Sequence, residues 1–259
     1  MKRFIDIQQL SKAFEGPETG DRKASSLEVL SGVTLSVEQN QFVSLVGPSG
    51  CGKSTLLKLI AGLDKAFEGE LRLEGRDPRN ARIPVCYMLQ KDCLMPWRTM
   101  LSNILLPLEI QKGDLFKAKK DIQPLLEEFG LSGFEDYRPH QLSGGMRQRA
   151  ALLRTYLMEG NIMLLDEPFG ALDEITRIQM QDWLLAVWQK HRKTVLFVTH
   201  HVEEAIYLSD RVAVMSNRPG TLLGEVNIGF ERPRKREMLL SLEFLEYKRR
   251  ILELLGSNA

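Results

Sequence analysis

The sequence predicts an α/β protein built on a mainly parallel sheet, with an antiparallel β region near its N-terminus and a helical insert in its middle. Three observations carry that expectation. The apolar run Gln41–Val46 reads as a buried strand and passes through a glycine-rich turn into a helical pattern, Thr55–Ala61. From Ile162 onward, strand-like and helix-like segments alternate, which implies parallel strands covered by helices with ligands at the strands' C-terminal ends. Between about Lys91 and Tyr137 the apolar spacing switches to the helical period.

Taken in order, Phe4–Ile7 alternates as a strand does, and the pattern ends near Ser11–Phe14 in a polar run from Glu15 to Ser26, read as a surface loop. Val33–Val37 and Leu71–Gly75 also alternate and are expected to be antiparallel strands flanking the strand, loop and helix unit. Val85–Gln90 is a short apolar strand ending on a polar residue. In the insert, Met100, Leu101, Ile104, Leu105 and Leu108, then Ile122, Leu125, Leu126 and Phe129, fall at helical spacing, with Pro107 and Pro124 expected to kink or bound the helices. A helix from Met146 to about Met158 follows Leu142-Ser143-Gly144-Gly145. The strands Ile162–Leu165, Val195–Val198 and Val212–Met215 then alternate with the helices Asp173–Gln189 and Val202–Leu208. In the tail, Arg232-Pro233-Arg234-Lys235-Arg236 reads as a solvated basic face. Leu239, Leu242, Leu245, Ile251, Leu252 and Leu255 read as the apolar side of a terminal amphipathic helix.

Composition narrows the function classes. At 259 residues and 43% hydrophobic content, the chain can bury a sizeable core. Lys plus Arg number 35 against 34 Asp plus Glu, so no global basic field points to a nucleic-acid partner. Cys51, Cys86 and Cys93 match neither a metal-ligand spacing nor a disulfide framework, and a reduced cytosolic setting is expected. Met1–Asp6 has no apolar signal core and no stretch reaches the length of a membrane span, so any work at a membrane is expected to be done from its surface through a partner.

Gly47-Pro48-Ser49-Gly50-Cys51-Gly52-Lys53-Ser54 fits the phosphate-loop pattern G-x-x-x-x-G-K-[ST] in the strand-to-helix context that pattern requires. Its glycines let backbone N–H groups converge, and the helix start adds unpaired N–H groups and the positive end of its dipole. Lys53 is expected to reach the β- and γ-phosphates, and the Ser54 hydroxyl to take one position on Mg²⁺. Ile162–Glu167 is an apolar strand ending in two carboxylates. Asp166 is expected to hold the metal and Glu167 to polarise the water that attacks the γ-phosphate. Leu142–Met146, a serine and paired glycines opening a helix, makes a second anion-grade helix start. Either one chain binds two anions, or two chains each lend one site to the other's nucleotide.

In these motifs the chain resembles the ATP-binding subunits of ABC transporters over nearly its whole length. The phosphate loop lies at Gly47–Ser54, the signature at Leu142–Met146 and the Walker B strand at Ile162–Glu167. Gln90 matches the Q-loop, Ala171-Leu172-Asp173 the D-loop and His200 the switch histidine. The resemblance implies a P-loop NTPase fold in a single ABC-type domain. Its RecA-like core with an antiparallel β part would span 1–90 and 160–230, its helical subdomain about 91–159 and a helical tail 231–259. It implies ATP and Mg²⁺ as cofactors and extends nucleotide contacts over Phe14, stacked on adenine, and Gly47, Pro48, Ser49, Gly50, Cys51, Gly52, Lys53, Ser54 and Thr55. Ser143, Gly144 and Gly145 would contact the ATP of the opposite subunit, and Asp173 would touch that subunit.

The resemblance further implies that Gln90 senses Mg²⁺ and the attacking water, and that His200 contacts the γ-phosphate. Catalysis would fall to Glu167, His200, Gln90 and Lys53, and Mg²⁺ to Ser54, Gln90 and Asp166. Two departures stand out: Met146 where many members carry glutamine, and His201 where an aspartate often follows the switch histidine. Leu89–Thr99, together with Leu142–Arg149, is similar to the nitrate, sulfonate and taurine importers. That similarity implies a homodimer or paired ATPase subunit at the cytoplasmic face of the membrane, with permease subunits docking beside Pro96 and Trp97 and a solute-binding protein as indirect partner. No nucleic-acid partner is expected. Soluble ABC ATPases of DNA repair or translation, and a regulator that binds ATP without transport, are the rival readings.

Overall fold

The computed structural model describes residues 2–15 and 26–256. The chain divides into two compact units, Met1–Ile83 with His191–Ala259, and Pro84–Lys190.

The first unit opens on β1 (Arg3–Glu15), which pairs antiparallel with β2 (Ser26–Glu38). Both strands run well beyond the predicted Phe4–Ile7 and Val33–Val37. Register shifts along the pair, with Gln9 at φ 48° inside one of them, break the two-residue alternation that the sequence reading depends on. The run read as a surface loop between Glu15 and Ser26 lies outside the described residues. β3 (Phe42–Val46) is buried along its length and leads through the glycine loop into α1 (Lys53–Ile60). β4 (Glu68–Leu73) then returns to the free side of β1, so this sheet has the order β2-β1-β4.

In the second unit, β5 (Val85–Met88) is followed by the short helices α2 (Met100–Ile104), α3 (Leu106–Ile110), α4 (Leu115–Asp121) and α5 (Gln123–Glu128). Pro107 and Pro124 stand in the first turns of α3 and α5, and a single residue in helical conformation, Leu105 or Ile122, joins each of these helices to the one before it, so the prolines mark breaks between consecutive short helices. Met100, Ile104, Leu105, Ile122, Leu126 and Phe129 form the buried side of this insert. The Phe129 ring meets Trp183 edge-on, with centroids 4.2 Å apart. α6 (Gly144–Tyr156), β6 (Ile162–Asp166) and α7 (Glu174–His191) follow, and β6 lies parallel to β5.

The chain re-enters the first unit at β7 (Thr194–Val198), α8 (Val202–Leu208) and β8 (Arg211–Met215). β3 sits between β7 and β8 and is parallel to both. Strands covered on both faces read as continuous apolar runs, which is why these were found from sequence. β9 (Leu222–Asn227) pairs antiparallel with β8 and was not predicted. It is half exposed and interrupted by Gly224, and no alternation marks it.

The tail differs from expectation in two ways. In α9 (Leu242–Gly256) the buried side is Phe244 and Ile251, with Tyr247, Leu254 and Leu255 packed beside them, while Leu242, Leu245 and Leu252 are exposed. The stripe at 244, 247, 251 and 254 has good helical spacing, but two of its members are aromatic, so a reading led by leucines places Leu239, Ile251 and Leu255 correctly and Leu242, Leu245 and Leu252 on the wrong side. The basic run is not a solvated face either: Arg234 is only 7% exposed, and Arg232 is largely covered in an ion pair with Asp210 at 2.7 Å.

Candidate active site

In the first unit, the buried strand β3 delivers Gly47 to the loop and α1 begins at Lys53. Gly52, which precedes α1, has φ 109°, and a Cβ on it would come within 2.6 Å of Leu30 Cδ2. Only glycine satisfies both constraints. A Cβ on Gly47 would sit 3.0 Å from the Met215 carbonyl oxygen, so the loop is pressed onto the end of β8. Pro48, Ser49 and Gly50 form the outer rim, Cys51 is buried under it, and Ser54 and Thr55 lie half-buried in the first turn of α1. Lys53 Nζ donates to the carbonyls of Gly47 at 2.7 Å and Pro48 at 2.8 Å. It pairs with no carboxylate among the described residues, and the first turn of α1 carries no acid. A buried ammonium beside a helix start that carries no acid in its first turn fits a polyphosphate.

Phe14, near the end of β1, is 43% exposed and therefore not core. Lys12 Nζ lies 4.6 Å from its ring centroid and also pairs with Asp64 at 2.8 Å, which fixes that corner of the strand. His200 is exposed just after β7, its ring 4.1 Å from that of His201. The turn carrying both is tied to α8. The Thr199 hydroxyl donates to the buried Glu204 carboxylate and accepts the His201 N–H at 3.1 Å.

In the second unit, β6 ends on Asp166, which is buried. Tyr87 lies on the neighbouring strand β5, and burial, reinforced by the Asp166 carboxylate, pushes its phenol far above the usual range. It stays neutral beside the acid. Glu167 follows with φ 49°, a left-handed conformation that is strained for a glutamate, and its Oε2 accepts from Gln90 Nε2 at 3.2 Å. The structure thus brings Gln90 and Glu167, remote in sequence, into direct contact. Ser143 caps α6, its hydroxyl accepting the Met146 N–H at 3.2 Å, and Gly144 and Gly145 form the first turn. Asp173 caps α7 by accepting the Thr176 N–H at 3.0 Å, and that bond holds its carboxyl below the usual range. Trp97 is 70% exposed and packs in no core.

Sequence reasoning missed three residues of this unit. Gln148, buried on α6, donates to the Glu167 carbonyl at 3.1 Å and accepts the Ala171 N–H at 2.7 Å, joining the signature helix to the acid and the D-loop. Arg154 donates to the carbonyls of Asp92 and Cys93, and Arg147 pairs with the Asp92 carboxylate at 3.0 Å, so α6 also pins the segment after Gln90. A polar residue on the buried face of a helix is the signal that points to Gln148. Nothing in the spacing picks out the arginines.

Among the described residues no cluster of three or more His, Cys, Asp or Glu side chains forms a metal cage. Asp166 and Gln90 in the second unit, and Ser54 in the first, each carry a hard oxygen donor of the kind that Mg²⁺ takes alongside phosphate oxygens and water.

Residues 30–170, more than half of the chain, match the ABC transporter family. The chain belongs to that family. Across 255 residues it is 45% identical to an uncharacterized ABC transporter ATP-binding protein of Methanocaldococcus jannaschii, covering 98% of this chain and 92% of that one. Similarity extends to the aliphatic sulfonates import ATP-binding proteins SsuB of Bacillus cereus, 38% identical over 96% of this chain and 94% of the relative, and SsuB 1 of Pseudomonas syringae, 43% identical over 90% and 89%. Among solved structures, the dimeric structure of MJ0796, a bacterial ABC transporter cassette, matches with a TM-score of 0.77 and 30% identity over 87% of this chain and all of that one. A post-hydrolysis state of the same cassette bound to ADP and Pi matches equally well, with a TM-score of 0.77. This ABC subunit is an ATPase that uses ATP and Mg²⁺, on the α/β fold of P-loop NTPases.

Proposed function

We propose that this ABC ATPase powers the import of a small anionic solute, an aliphatic sulfonate in the first instance, through a membrane permease. The observation that carries this reading is the match, along nearly the full length of both chains, to relatives named as aliphatic sulfonates import ATP-binding proteins. Those names favour import over DNA repair, translation or a non-transport regulator. No helix among the described residues is long and apolar enough to cross a membrane, which accords with a peripheral place at the cytoplasmic face beside permease subunits. The exposed Trp97 supports docking at the segment after Gln90, since an aromatic anchor is a frequent hot spot. A solute-binding protein would deliver the substrate.

The residue roles belong to the same proposal. Lys53 holds the β- and γ-phosphates within the cradle of Gly47–Thr55, and Phe14 stacks on adenine. Ser54, Asp166 and Gln90 hold Mg²⁺, Glu167 polarises the attacking water, and His200 faces the γ-phosphate. Ser143, Gly144 and Gly145 serve the nucleotide of a second copy. All of this belongs to one ATPase domain with a RecA-like core at 1–90 and 160–230, a helical subdomain at about 91–159 and a tail at 231–259. ATP closes the pair of subunits and hydrolysis reopens it, moving the permease between its two access states.

Purification of the tagged chain from detergent-solubilised membranes tests the import reading. Recovery of a complex with a polytopic permease, in which ATP hydrolysis by this chain is stimulated by a binding protein loaded with an aliphatic sulfonate, is expected. Recovery of ribosomes or DNA in its place would overturn it.

A further inference from the structure

The tail holds α8 at both ends. At the C-terminal end, Arg234 Nη1 donates to the carbonyls of Ile206 at 2.8 Å and Tyr207 at 2.9 Å, and Arg232 donates to that of Leu208 at 2.8 Å. These are last-turn carbonyls that no helical N–H can reach, and the two guanidinium groups cap them. Arg232 is itself fixed by Asp210, whose other carboxylate oxygen accepts the Phe42 N–H of β3 at 2.9 Å. At the N-terminal end, Lys248 of α9 pairs with Glu203 in the first turn of α8. Between these points Phe244 and Ile251 pack against Val202, Ala205 and Ile206, and the Arg236 guanidinium covers the Tyr207 ring at 4.2 Å.

The first turn of α8 in turn holds the histidine turn. Glu204 accepts the Thr199 hydroxyl, and Thr199 accepts the His201 N–H. A seven-residue helix transmits displacement as a rigid body, so whatever fixes its last turn also fixes its first. Burial and the neighbouring Arg232 lower Arg234 to about 10, and it therefore remains a cation at neutral pH.

We propose that Arg234 is a positioning residue for His200: by gripping the last turn of α8, it fixes the helix whose first turn orients the histidine. Arg234 touches neither nucleotide nor metal in this scheme. The inference rests on the reading of His200 as the residue facing the γ-phosphate, and gives the C-terminal tail a part in turnover.

The test compares Arg234→Met, Arg234→Lys and Lys248→Gln in the full chain, by steady-state ATP hydrolysis and by hydrogen exchange of peptides covering 196–208. Arg234→Met is expected to lower kcat about tenfold with KM for ATP unchanged, and to raise exchange at Thr199–His201 while the Gly47–Ser54 loop keeps its protection. Arg234→Lys, which retains a donor, should recover part of the loss. Lys248→Gln removes an exposed partner without disturbing the core, so it reads the same effect if Arg234→Met fails to fold. Its kcat should fall roughly threefold with the same exchange signature. Wild-type kcat with unchanged exchange in the folded variants would overturn the proposal. So would exchange that rises equally across the phosphate loop, the mark of general loosening. His200→Ala, measured alongside, separates the two claims. If it retains full turnover while Arg234→Met loosens the histidine turn, the role of His200 fails and the clamp on α8 stands.

Discussion

At the scale of single residues, the site divides into what the chain writes contiguously and what folding brings in. Gly47–Ser54 and Asp166-Glu167 are legible because the loop chemistry needs adjacent residues in fixed order, flanked by a strand and a helix. Gln148 and Arg234 are not, since their partners, the Glu167 and Tyr207 carbonyls, are backbone groups remote in sequence that any residue type could present. Glu167→Gln removes the carboxylate while leaving a side chain of the same shape. Turnover measured by phosphate release should fall by about a hundredfold or more, with nucleotide affinity retained. The corner that presents Phe14 rests on Lys12 and Asp64, and hydrogen bonding from Lys12 holds the Asp64 carboxyl below the usual range. A depressed folded-state pKa gives stability that is present above the unfolded value of about 3.9 and is lost as pH falls through the folded value. Asp64→Asn should therefore be less stable than wild type at pH 7, by no more than about 1 kcal/mol once solvent screening is counted, and urea titrations should show the gap closing as the pH falls below the unfolded value of about 3.9.

At the scale of elements, legibility followed burial pattern. β3, β6 and β7 are buried throughout and mainly apolar, which makes them legible, and α3 and α5 are marked by the prolines in their first turns. β9 and the outer parts of β1 and β2 are hidden by exposure or by bulges, and α9 is legible with only part of its buried face, Ile251 and Leu255 but not Phe244. The signature helix α6 depends on its first residue in a way that separates stability from chemistry. Replacing the Ser143 cap by alanine orphans the Met146 N–H and should cost about 1 kcal/mol in urea unfolding, whereas glycine should cost only a few tenths. Equal losses for the two substitutions would show that the hydroxyl is not what starts α6.

At the scale of the whole molecule, the chain carries two anion-grade helix starts, one in each compact unit, at Lys53 and at Gly144. The central claim is that two copies exchange them, each nucleotide meeting the phosphate loop of one chain and the Ser143–Gly145 turn of the other. Gly144 is a clean place to test this, because a Cβ there would meet nothing closer than Arg147 Nη2 at 3.8 Å, so its own fold accepts a side chain. The measurement is the sedimentation mass of Glu167→Gln with Mg²⁺ and ATP, alone and combined with Gly144→Asp. The single variant should sediment at about twice its 29.5 kDa chain mass, and the double variant at the monomer mass with ATP still bound at unchanged affinity. A single variant that stays monomeric at saturating ATP, or a double variant that dimerises as readily as the single one, would contradict the shared pocket.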